Sequence, residues 1–243
     1  MLDEFGLSLR LMPRQFRFYP SVDSTNDLAI EWLREGAGQG AVIIADEQRK
    51  GRGRLGRLWY TPPHSAVALS IILRPTRENA TLTSMIGAVA VAKACSALGA
   101  NEIGIKWPND VQLAGKKIAG ILPEAVWQDD QLVGVVLGIG INVRNVLPPE
   151  LMDIATNLEI ELDRNINRAD LVCSLIEEIE QAVVLPANEL LAVWKQLLTT
   201  FGKSVTVNDV TGTAMDVDEQ GALLVRTDDG RMERLIAGDV LLN

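Results

Sequence analysis

Apolar positions along the chain recur with two spacings, and each spacing predicts a different kind of element. Spacings of three and four residues predict helices, whereas alternating or continuous apolar runs predict strands. Helices are expected from Ser24 to Gly36 and at 82–98, 169–185 and 190–198. Strands are expected at 16–19, 41–45, 66–73, 103–107, 111–113 and 117–122, followed by a hairpin of 124–127 and 132–142. Residues 1–15 carry no strong pattern, and the first strand is expected to end at Pro20.

From about Thr199 the pattern changes to short strands separated by turns. The strands are expected at 205–207, 212–217, 222–225, 232–235 and 240–242. The turns at 218–221 and 228–230 combine Asp with Gly, as hairpin turns commonly do. The change predicts two domains, a larger one over residues 1–198 and a small SH3-like β-barrel over residues 199–243.

A basic, glycine-rich stretch at residues 46–59 stands out from an acidic chain. Its five cations are Arg49, Lys50, Arg52, Arg54 and Arg57, and Gly51, Gly53 and Gly56 lie between them. The whole chain has a formal charge of -9, so the chain without these five cations would carry about -14. Arginine donates in a geometry that suits carboxylate and phosphate oxygens, and glycine permits close backbone approach. The stretch therefore favours a mobile loop, called the basic loop below, that closes over an anionic ligand.

Two other interpretations of this stretch compete with a ligand-binding loop. A run of charges is often only a solvated surface. The glycine spacing also fits the dinucleotide-binding fingerprint, but that fingerprint must begin a helix. Pro62 and Pro63 follow here, and no acidic residue lies about 20 positions further on to bind a ribose. The dinucleotide interpretation is therefore rejected.

Composition excludes several classes of function. His64 is the only histidine, and Cys95 and Cys173 are the only cysteines, so neither a structural zinc site nor His-based catalysis is expected. The two cysteines are expected to be reduced thiols in a cytoplasmic protein. The acidic balance argues against a general nucleic-acid or anionic-membrane binder. No signal peptide and no apolar run near the ~20 residues of a membrane span is recognised.

Several polar residues have both a structural and a functional interpretation. Ser24, Thr25 and Asn26 either cap a helix or face a polar ligand, and Trp59 is either a core residue or an aromatic lid. Lys117 begins an apolar strand and is expected to point inward. Glycines 134, 138 and 140 suggest a close backbone approach, and Asn142 either ends a strand or contacts a ligand.

Taken together, five segments resemble the biotin–protein ligases. They are Ser24–Asn26, Gly-Arg-Gly-Arg-x-Gly-Arg at 51–57, Lys-Trp-Pro-Asn-Asp at 106–110, Lys-Ile-Ala-Gly-Ile-Leu at 117–122, and Gly-Ile-Gly-Ile-Asn at 138–142. The resemblance extends from about Ser21 to Asn142, and more weakly through 162–165 and 220–224. It implies an α/β fold whose mixed sheet and flanking helices are similar to the core of class II tRNA synthetases.

The resemblance implies an ATP-dependent reaction in two steps. Biotin and Mg-ATP give biotinyl-5′-AMP and pyrophosphate, and a lysine of a biotin carboxyl carrier protein, the acetyl-CoA carboxylase subunit, then takes the biotin. The first step brings two anions together, which preplaced cations and Mg²⁺ make easier. Positioning matters more than a side-chain nucleophile in such a reaction.

Site residues follow from the resemblance motif by motif. The implied biotin-binding residues are Ser24, Thr25, Asn26, Gln48, Gly51, Arg52, Gly53, Arg54, Lys117 and Gly120. The implied ATP-binding residues are Arg52, Arg54, Arg57, Trp59, Lys106, Asn109, Asp110, Lys117 and Asn142. Lys117, Arg52 and Arg54 are the expected catalytic residues, and Asp110 is the expected magnesium ligand. Glu47, Arg49 and Lys50 depart from the family pattern, which leaves the charge and closure of the loop open.

Further expectations concern partners and rival functions. Because only 20 residues precede Ser21, no DNA-binding domain is expected, and neither a nucleic-acid nor a membrane partner is expected. A homodimer can form through sheet edges, as in the family. Lipoate or octanoate transfer on the same fold is the nearest enzymatic rival, and a non-catalytic biotin or nucleotide sensor is the rival from another class. A nucleic-acid binder built on the basic loop is the least favoured alternative.

Overall fold

The structure is a computed structural model that describes residues 2–242. The helices are α1 (Glu4–Leu11), α2 (Thr25–Arg34), α3 (Thr83–Ala97), α4 (Leu158–Leu162), α5 (Arg168–Val183) and α6 (Ala187–Leu197). The strands of the larger sheet are β1 (Phe16–Val22), β2 (Val42–Gln48), β3 (Ala66–Leu73), β4 (Ile103–Lys106), β5 (Asp110–Leu113), β6 (Lys116–Gln128) and β7 (Gln131–Asn142). Those of the smaller sheet are β8 (Ser204–Val207), β9 (Val210–Val217), β10 (Leu223–Arg226), β11 (Met232–Leu235) and β12 (Val240–Leu242).

Seven strands form the larger sheet, in the order β1-β2-β3-β7-β6-β5-β4. Strands β1 and β2 are parallel, and every other neighbouring pair is antiparallel. The central strand β3 is buried at all of its positions because helices cover both faces of the sheet. Helices α3 and α5 pack on one face, whereas α2 packs on the other through Ala29 and Leu33. The predicted mixed sheet with flanking helices is confirmed.

Five antiparallel strands form the smaller sheet, in the order β11-β10-β9-β8-β12, as expected for the C-terminal barrel. Its buried residues, including Val205 and Val225, belong to the same hydrophobic core as helices α3 and α6. Trp107 fixes the two sheets against each other, since its backbone N–H donates to Thr200 Oγ1 (3.0 Å) and its indole N–H to the carbonyl of Gly221 (2.9 Å). The domain boundary at residue 199 stays a prediction, because the core is continuous across it.

Three expectations about elements are corrected. Strand β1 does not end at Pro20 but continues to Val22, because it is the edge strand, where a residue without an N–H costs no ladder hydrogen bond. Helix α1 forms in the segment with no strong pattern. It is capped by Asp3, which accepts from Gly6 N at 2.7 Å, and it buries Leu7 completely. Strand β6 continues through Pro123, which joins two runs that were expected to be separate.

One helical segment, Ala80–Ala97, is long and apolar enough to cross a membrane by length and composition, which corrects the expectation that no run approaches that length. Some 67% of the segment is buried within the described structure, where it packs against β6 and α5. A core helix with small side chains passes the same test, and α3 is such a helix.

Candidate active site

A cavity of about 540 Å³ lies where the basic loop, the ends of several strands and the smaller sheet meet. Fifteen of the sixteen predicted site residues line it: Ser24, Thr25, Asn26, Gln48, Arg52, Gly53, Arg54, Arg57, Trp59, Lys106, Asn109, Asp110, Lys117, Gly120 and Asn142. Gly51 does not line the cavity. It is buried beside the loop, where a Cβ would lie 2.4 Å from the carbonyl oxygen of Trp59.

A network of buried polar groups forms one end of the cavity. The backbone N–H and the hydroxyl of Thr25 both donate to Oε1 of Gln48, at 2.8 and 3.0 Å. The hydroxyl oxygen of Ser70, which is fully buried, lies 2.8 Å from Thr25 Oγ1 and 2.6 Å from Asn26 Oδ1. The side chain of Ser24, at the N-cap of α2, makes no capping hydrogen bond. The start of α2 is therefore organised around the cavity rather than around its own cap.

The amide of Asn26 has its orientation fixed by the protein. Its Nδ2 donates to the carbonyl of Leu122 (3.2 Å) and to Oε2 of Glu124 (2.5 Å), so both amide hydrogens are used. Its Oδ1 accepts from Ser70 and retains one lone pair. Oε1 of Gln48 already accepts two hydrogen bonds. Neither this oxygen nor Nδ2 of Asn26 can therefore make a further hydrogen bond to a ligand. What this end offers a ligand is the acceptor Asn26 Oδ1 and the donor Gln48 Nε2, which makes only a long 3.5 Å contact with Thr61.

A cation occupies the middle of the cavity. The Nζ atom of Lys117 lies 2.7 Å from Oδ1 of Asp110, and both side chains are about one-third exposed. Two backbone hydrogen bonds hold Lys117. Its N–H donates to the carbonyl of Ile154, and its carbonyl accepts from the N–H of Thr156, both at 2.9 Å. Lys117 therefore points inward, as predicted from its position at the start of an apolar strand.

Glycines of β6 and β7 make the floor on which Trp59 lies. A Cβ at Gly140 would be 2.2 Å from the indole Nε1, and a Cβ at Gly120 would be 3.3 Å from its Cζ3. A Cβ at Gly138 would lie 2.3 Å from Asn26 Oδ1. The indole Nε1 is buried and has no hydrogen-bond partner among the described residues. Trp59 thus lies over the cavity floor with a free donor, which favours the lid over the core interpretation.

The cations of the basic loop, which follows β2, fall into two groups. Arg49 and Lys50 pair with Asp23 on the surface and do not line the cavity, so the solvated-surface interpretation fits them. Arg52 donates to Asp27 at 2.6 and 2.7 Å, and this hydrogen bonding raises the pKa of its guanidinium.

Two further arginines of this loop reach over the cavity. Arg54 donates to Asn109 Oδ1 (3.0 Å) and to the carbonyl of Gly238 (3.2 Å), and Arg57 forms an ion pair with Asp239. The loop is thereby held over the cavity by groups from both sheets.

Asn142 ends β7 and also faces the cavity. It lines the cavity, yet its amide donates to Thr156 O and accepts from Asn145 Nδ2, each at 3.0 Å. These bonds hold the segment that follows β7 against the cavity wall.

The carboxylates of the cavity limit how a magnesium ion could be held. Among residues 2–242 no group of three or more His, Cys, Asp or Glu side chains is placed to hold a metal ion. Mg²⁺ in nucleotide sites commonly takes one or two carboxylates together with substrate phosphates and water. Asp110, with one oxygen on Lys117, fits a single protein ligand of that kind.

Sequence reasoning missed part of the site. Ser70 and Glu124 belong to the polar network, and an apolar wall is formed by Leu147, Leu151, Ile154 and Ala155. The smaller sheet contributes residues 239–241. The sequence contains an indication of Ser70, because Ser70 is the only polar residue in the apolar run 66–73. The others come from segments that showed no periodicity or that lie far away along the chain.

Two family models match the chain. The biotin/lipoate A/B protein ligase family matches residues 18–142, and the biotin protein ligase C terminal domain matches residues 200–242. Both matched ranges include residues that line the cavity.

Individual proteins are similar over most of the chain. The bifunctional ligase/repressor BirA of Bacillus subtilis is 30% identical over 251 residues, covering 98% of this chain and 77% of that protein. The biotin–[acetyl-CoA-carboxylase] ligase of Mycobacterium tuberculosis is 34% identical over 247 residues, covering 94% of this chain and 89% of that protein. The solved structure of biotin protein ligase from Aquifex aeolicus in complex with biotin and ATP matches with a TM-score of 0.81 at 27% identity, covering 94% of this chain and 98% of that one.

Proposed function

Because the chain belongs to the biotin/lipoate A/B protein ligase family, we propose that it is an ATP-dependent biotin–protein ligase. It forms biotinyl-5′-AMP and pyrophosphate from biotin and ATP, and it then transfers biotin to a lysine of a biotin carboxyl carrier protein. The resemblance carried by the five sequence segments is confirmed by the family matches. The Mycobacterium tuberculosis relative is a biotin–[acetyl-CoA-carboxylase] ligase, which supports an acetyl-CoA carboxylase subunit as acceptor.

The observation that carries this proposal is the joining of a polar end and a cationic middle in one cavity. Biotin has a ureido group with two N–H donors and one carbonyl acceptor. The polar end offers the complementary pair, an acceptor on Asn26 and a donor on Gln48. The dithiolane ring of lipoate and the alkyl chain of octanoate would leave these groups unpaired, which costs about 1–3 kcal/mol for each buried group. The network therefore favours biotin over the rival acids.

The cationic middle suits the first chemical step. There the carboxylate of the acid attacks the α-phosphorus of ATP, and pyrophosphate leaves. Lys117 is placed to contact both anions and to stabilise the charge that develops on the phosphoryl oxygens. Arg52 and Arg54 cover the cavity, so they would exclude water from the mixed anhydride. In the second step the acceptor amine attacks the biotinyl carbonyl carbon, and AMP leaves.

Magnesium has one protein ligand in this proposal. Asp110 would hold Mg²⁺ while also fixing the ammonium of Lys117, and the metal would supply charge neutralisation at the phosphates of ATP. Arg57, Lys106, Asn109 and Asn142 line the same part of the cavity and would contact the nucleotide. Trp59 would flank the adenine.

Location and assembly remain proposals. The thiols of Cys95 and Cys173 are free, which supports the reducing cytoplasm. Strand β1 is an edge of the larger sheet, and such an edge can serve a homodimer. Action without nucleic acid or membrane is a prediction from the acidic composition, and the repressor activity named for the Bacillus subtilis relative is not part of this proposal.

The test is pyrophosphate release from ATP and Mg²⁺ with biotin, lipoate or octanoate as the only added acid. We expect release with biotin, followed by transfer to a purified biotin carboxyl carrier protein. Release with lipoate alone would assign the chain to lipoate transfer. Binding of biotin by folded protein without any release would favour a sensor.

A further inference from the structure

We propose that Asp239, together with the carbonyl group of Gly238, is a positioning residue that holds the basic loop over the cavity from the smaller sheet. Its catalytic consequence rests on the ligase function proposed above. The carboxylate of Asp239 forms an ion pair with Arg57, and its Oδ2 atom is buried. The carbonyl of Gly238 accepts from Arg54 at 3.2 Å. Two loop arginines that line the cavity are therefore bound by two consecutive residues of the connection between β11 and β12 of the smaller sheet.

The Gly238–Asp239 segment is itself rigidly held, so it can act as a fixed anchor. Gly238 has φ +147, and a Cβ there would lie 2.5 Å from Cγ1 of Val207. Only glycine suits both the conformation and this contact. On one side Asn208 donates to the carbonyl of Ala237 at 3.3 Å, and on the other Val240 pairs with Val207 in the sheet. The segment is thus fixed to β8 independently of the loop.

The loop has two separate anchors, which predict a selective effect. Arg52 is bound by Asp27 of α2 and Glu124 of β6, whereas Arg57 is bound by Asp239. Arg54 is bound by Gly238 and also by Asn109. Gly53 N–H donates to Arg57 O at 2.7 Å, so we expect the loop tip to move as a unit. Loss of Asp239 should therefore loosen residues 53–57, which then keep only the hydrogen bonds of Arg54 to Asn109 and Gly238, while the polar end of the cavity stays intact.

Release of the tip affects the nucleotide side of the reaction. We expect a higher KM for ATP and faster escape of biotinyl-AMP into water, because the loop would cover the adenylate for less of the time. The KM for biotin should rise less than the KM for ATP, because Thr25, Asn26 and Gln48 are held by their own network, whereas of the implied biotin-binding residues only Gly53 and Arg54 lie in the released segment. A residue needed only for stability would not separate the two KM values.

The experiment compares Asp239→Asn with Asp209→Asn, an exposed carboxylate in the β8–β9 turn of the same sheet. Trypsin cleavage after Arg54, a bond that all variants retain, reports loop opening without any substrate. We expect cleavage to be about 2- to 5-fold faster in Asp239→Asn and unchanged in Asp209→Asn, as for the loss of an ion pair whose arginine is mostly exposed. Hydroxylamine trapping should show a similar rise in released biotinyl-AMP.

A charge exchange tests the contact itself. Arg57→Asp and Asp239→Arg should each open the loop, and the double variant should recover slow cleavage after Arg54. If Asp239→Asn unfolds at a lower temperature, Asp239→Glu is the comparison. It retains the charge, so cleavage after Arg54 should stay slow in it. Cleavage at the wild-type rate in Asp239→Asn, or no recovery in the double variant, would overturn the proposal. If the cleavage results hold but wild-type protein releases no pyrophosphate with biotin, the anchor stands and the ligase function fails.

Discussion

The ammonium of Lys117 lies 2.7 Å from Oδ1 of Asp110, inside the cavity and between neighbouring strands β6 and β5. Each side chain is only about one-third exposed, so the pair is fixed more firmly than a surface ion pair. Two donor positions of the ammonium and the second oxygen of the carboxylate remain for ligands. This pair therefore joins the anion-binding and metal-binding parts of the proposed site.

Lys117→Ala should abolish most adenylation while leaving the protein folded. Removal of a preplaced charge that stabilises a transition state costs about 10²- to 10³-fold in rate. Pyrophosphate release with biotin measures the loss, and circular dichroism checks the fold. Lys116→Ala is the matched control, because the neighbouring ammonium binds Met152 O on the surface at 2.9 Å. Near-normal adenylation in Lys117→Ala would remove this residue from the mechanism.

Asp110→Asn should raise the Mg²⁺ concentration required for half-maximal pyrophosphate release, by about tenfold, because an amide oxygen is a weaker magnesium ligand than a carboxylate. Asp130→Asn, in the exposed β6–β7 turn, is the control. If Asp110 acts only on Lys117, the rate will fall but added Mg²⁺ will not restore it. That outcome would contradict the metal role while retaining the positioning role.

The sequence predicted those parts of the site that depend on local order. Lys117 was recognisable because a lysine begins an apolar strand, and Gly138 and Gly140 because glycines interrupt one. The sequence does not predict the short helix α1, since one capping contact and two buried leucines, Leu7 and Leu11, give too little periodicity to detect. The pattern of strands after Thr199 predicted the smaller sheet.

Contacts between distant segments could not be predicted in the same way. The hydrogen bond from Arg54 to Gly238 joins residues 184 positions apart, and nothing in either segment indicates the other. The same holds for Glu124, whose carboxylate lies beside Asn26 only after β6 and α2 have packed on β7. Such contacts depend on tertiary packing, and they determine how the loop and the polar network are oriented.

Ser70→Ala should weaken biotin binding more than ATP binding. The substitution removes the hydroxyl that fixes Thr25 and Asn26, at a cost of about 1–2 kcal/mol, which corresponds to a 5- to 30-fold higher KM for biotin. Selectivity for biotin over lipoate should fall in parallel. Ser96→Ala, on the exposed face of α3, is the control. An unchanged KM for biotin would show that the network does not orient the ligand.

Gly138→Ala and Gly140→Ala should affect different substrates. A methyl group at 138 meets the amide of Asn26, so we expect a higher KM for biotin, whereas one at 140 meets the indole of Trp59, so we expect a higher KM for ATP and altered tryptophan fluorescence. Each change should exceed fivefold, because overpacking costs about 1–3 kcal/mol.

Gly38→Ala is the control for both variants. A Cβ there meets nothing closer than 3.7 Å. Identical effects of the two test variants on both substrates would contradict the assignment of a polar end and a nucleotide side.

The two thiols should differ in reactivity. Burial raises the pKa of Cys95 from 9.0 to about 12, so the thiol stays neutral and inaccessible in the folded protein. Cys173 is only partly buried, although burial also raises its pKa. At pH 8.5 iodoacetamide should therefore modify Cys173 slowly and Cys95 only after unfolding in urea, as read by mass spectrometry. Modification of Cys95 in folded protein would contradict the packing of α3.

The raised pKa of Cys95 also predicts a loss of stability in alkali. The unfolded chain releases this proton near pH 9, whereas the folded protein keeps it until about pH 12. The stability contributed by the buried thiol is therefore complete below pH 9 and is lost as the pH rises through that window, by up to about 1.4 kcal/mol per pH unit. Urea unfolding at pH 8.5 and 10.5 should show a shallower decline for Cys95→Ala than for wild type or Cys173→Ala. Equal declines in all three proteins would mean that the Cys95 thiol ionises as readily in the folded protein as in the unfolded chain.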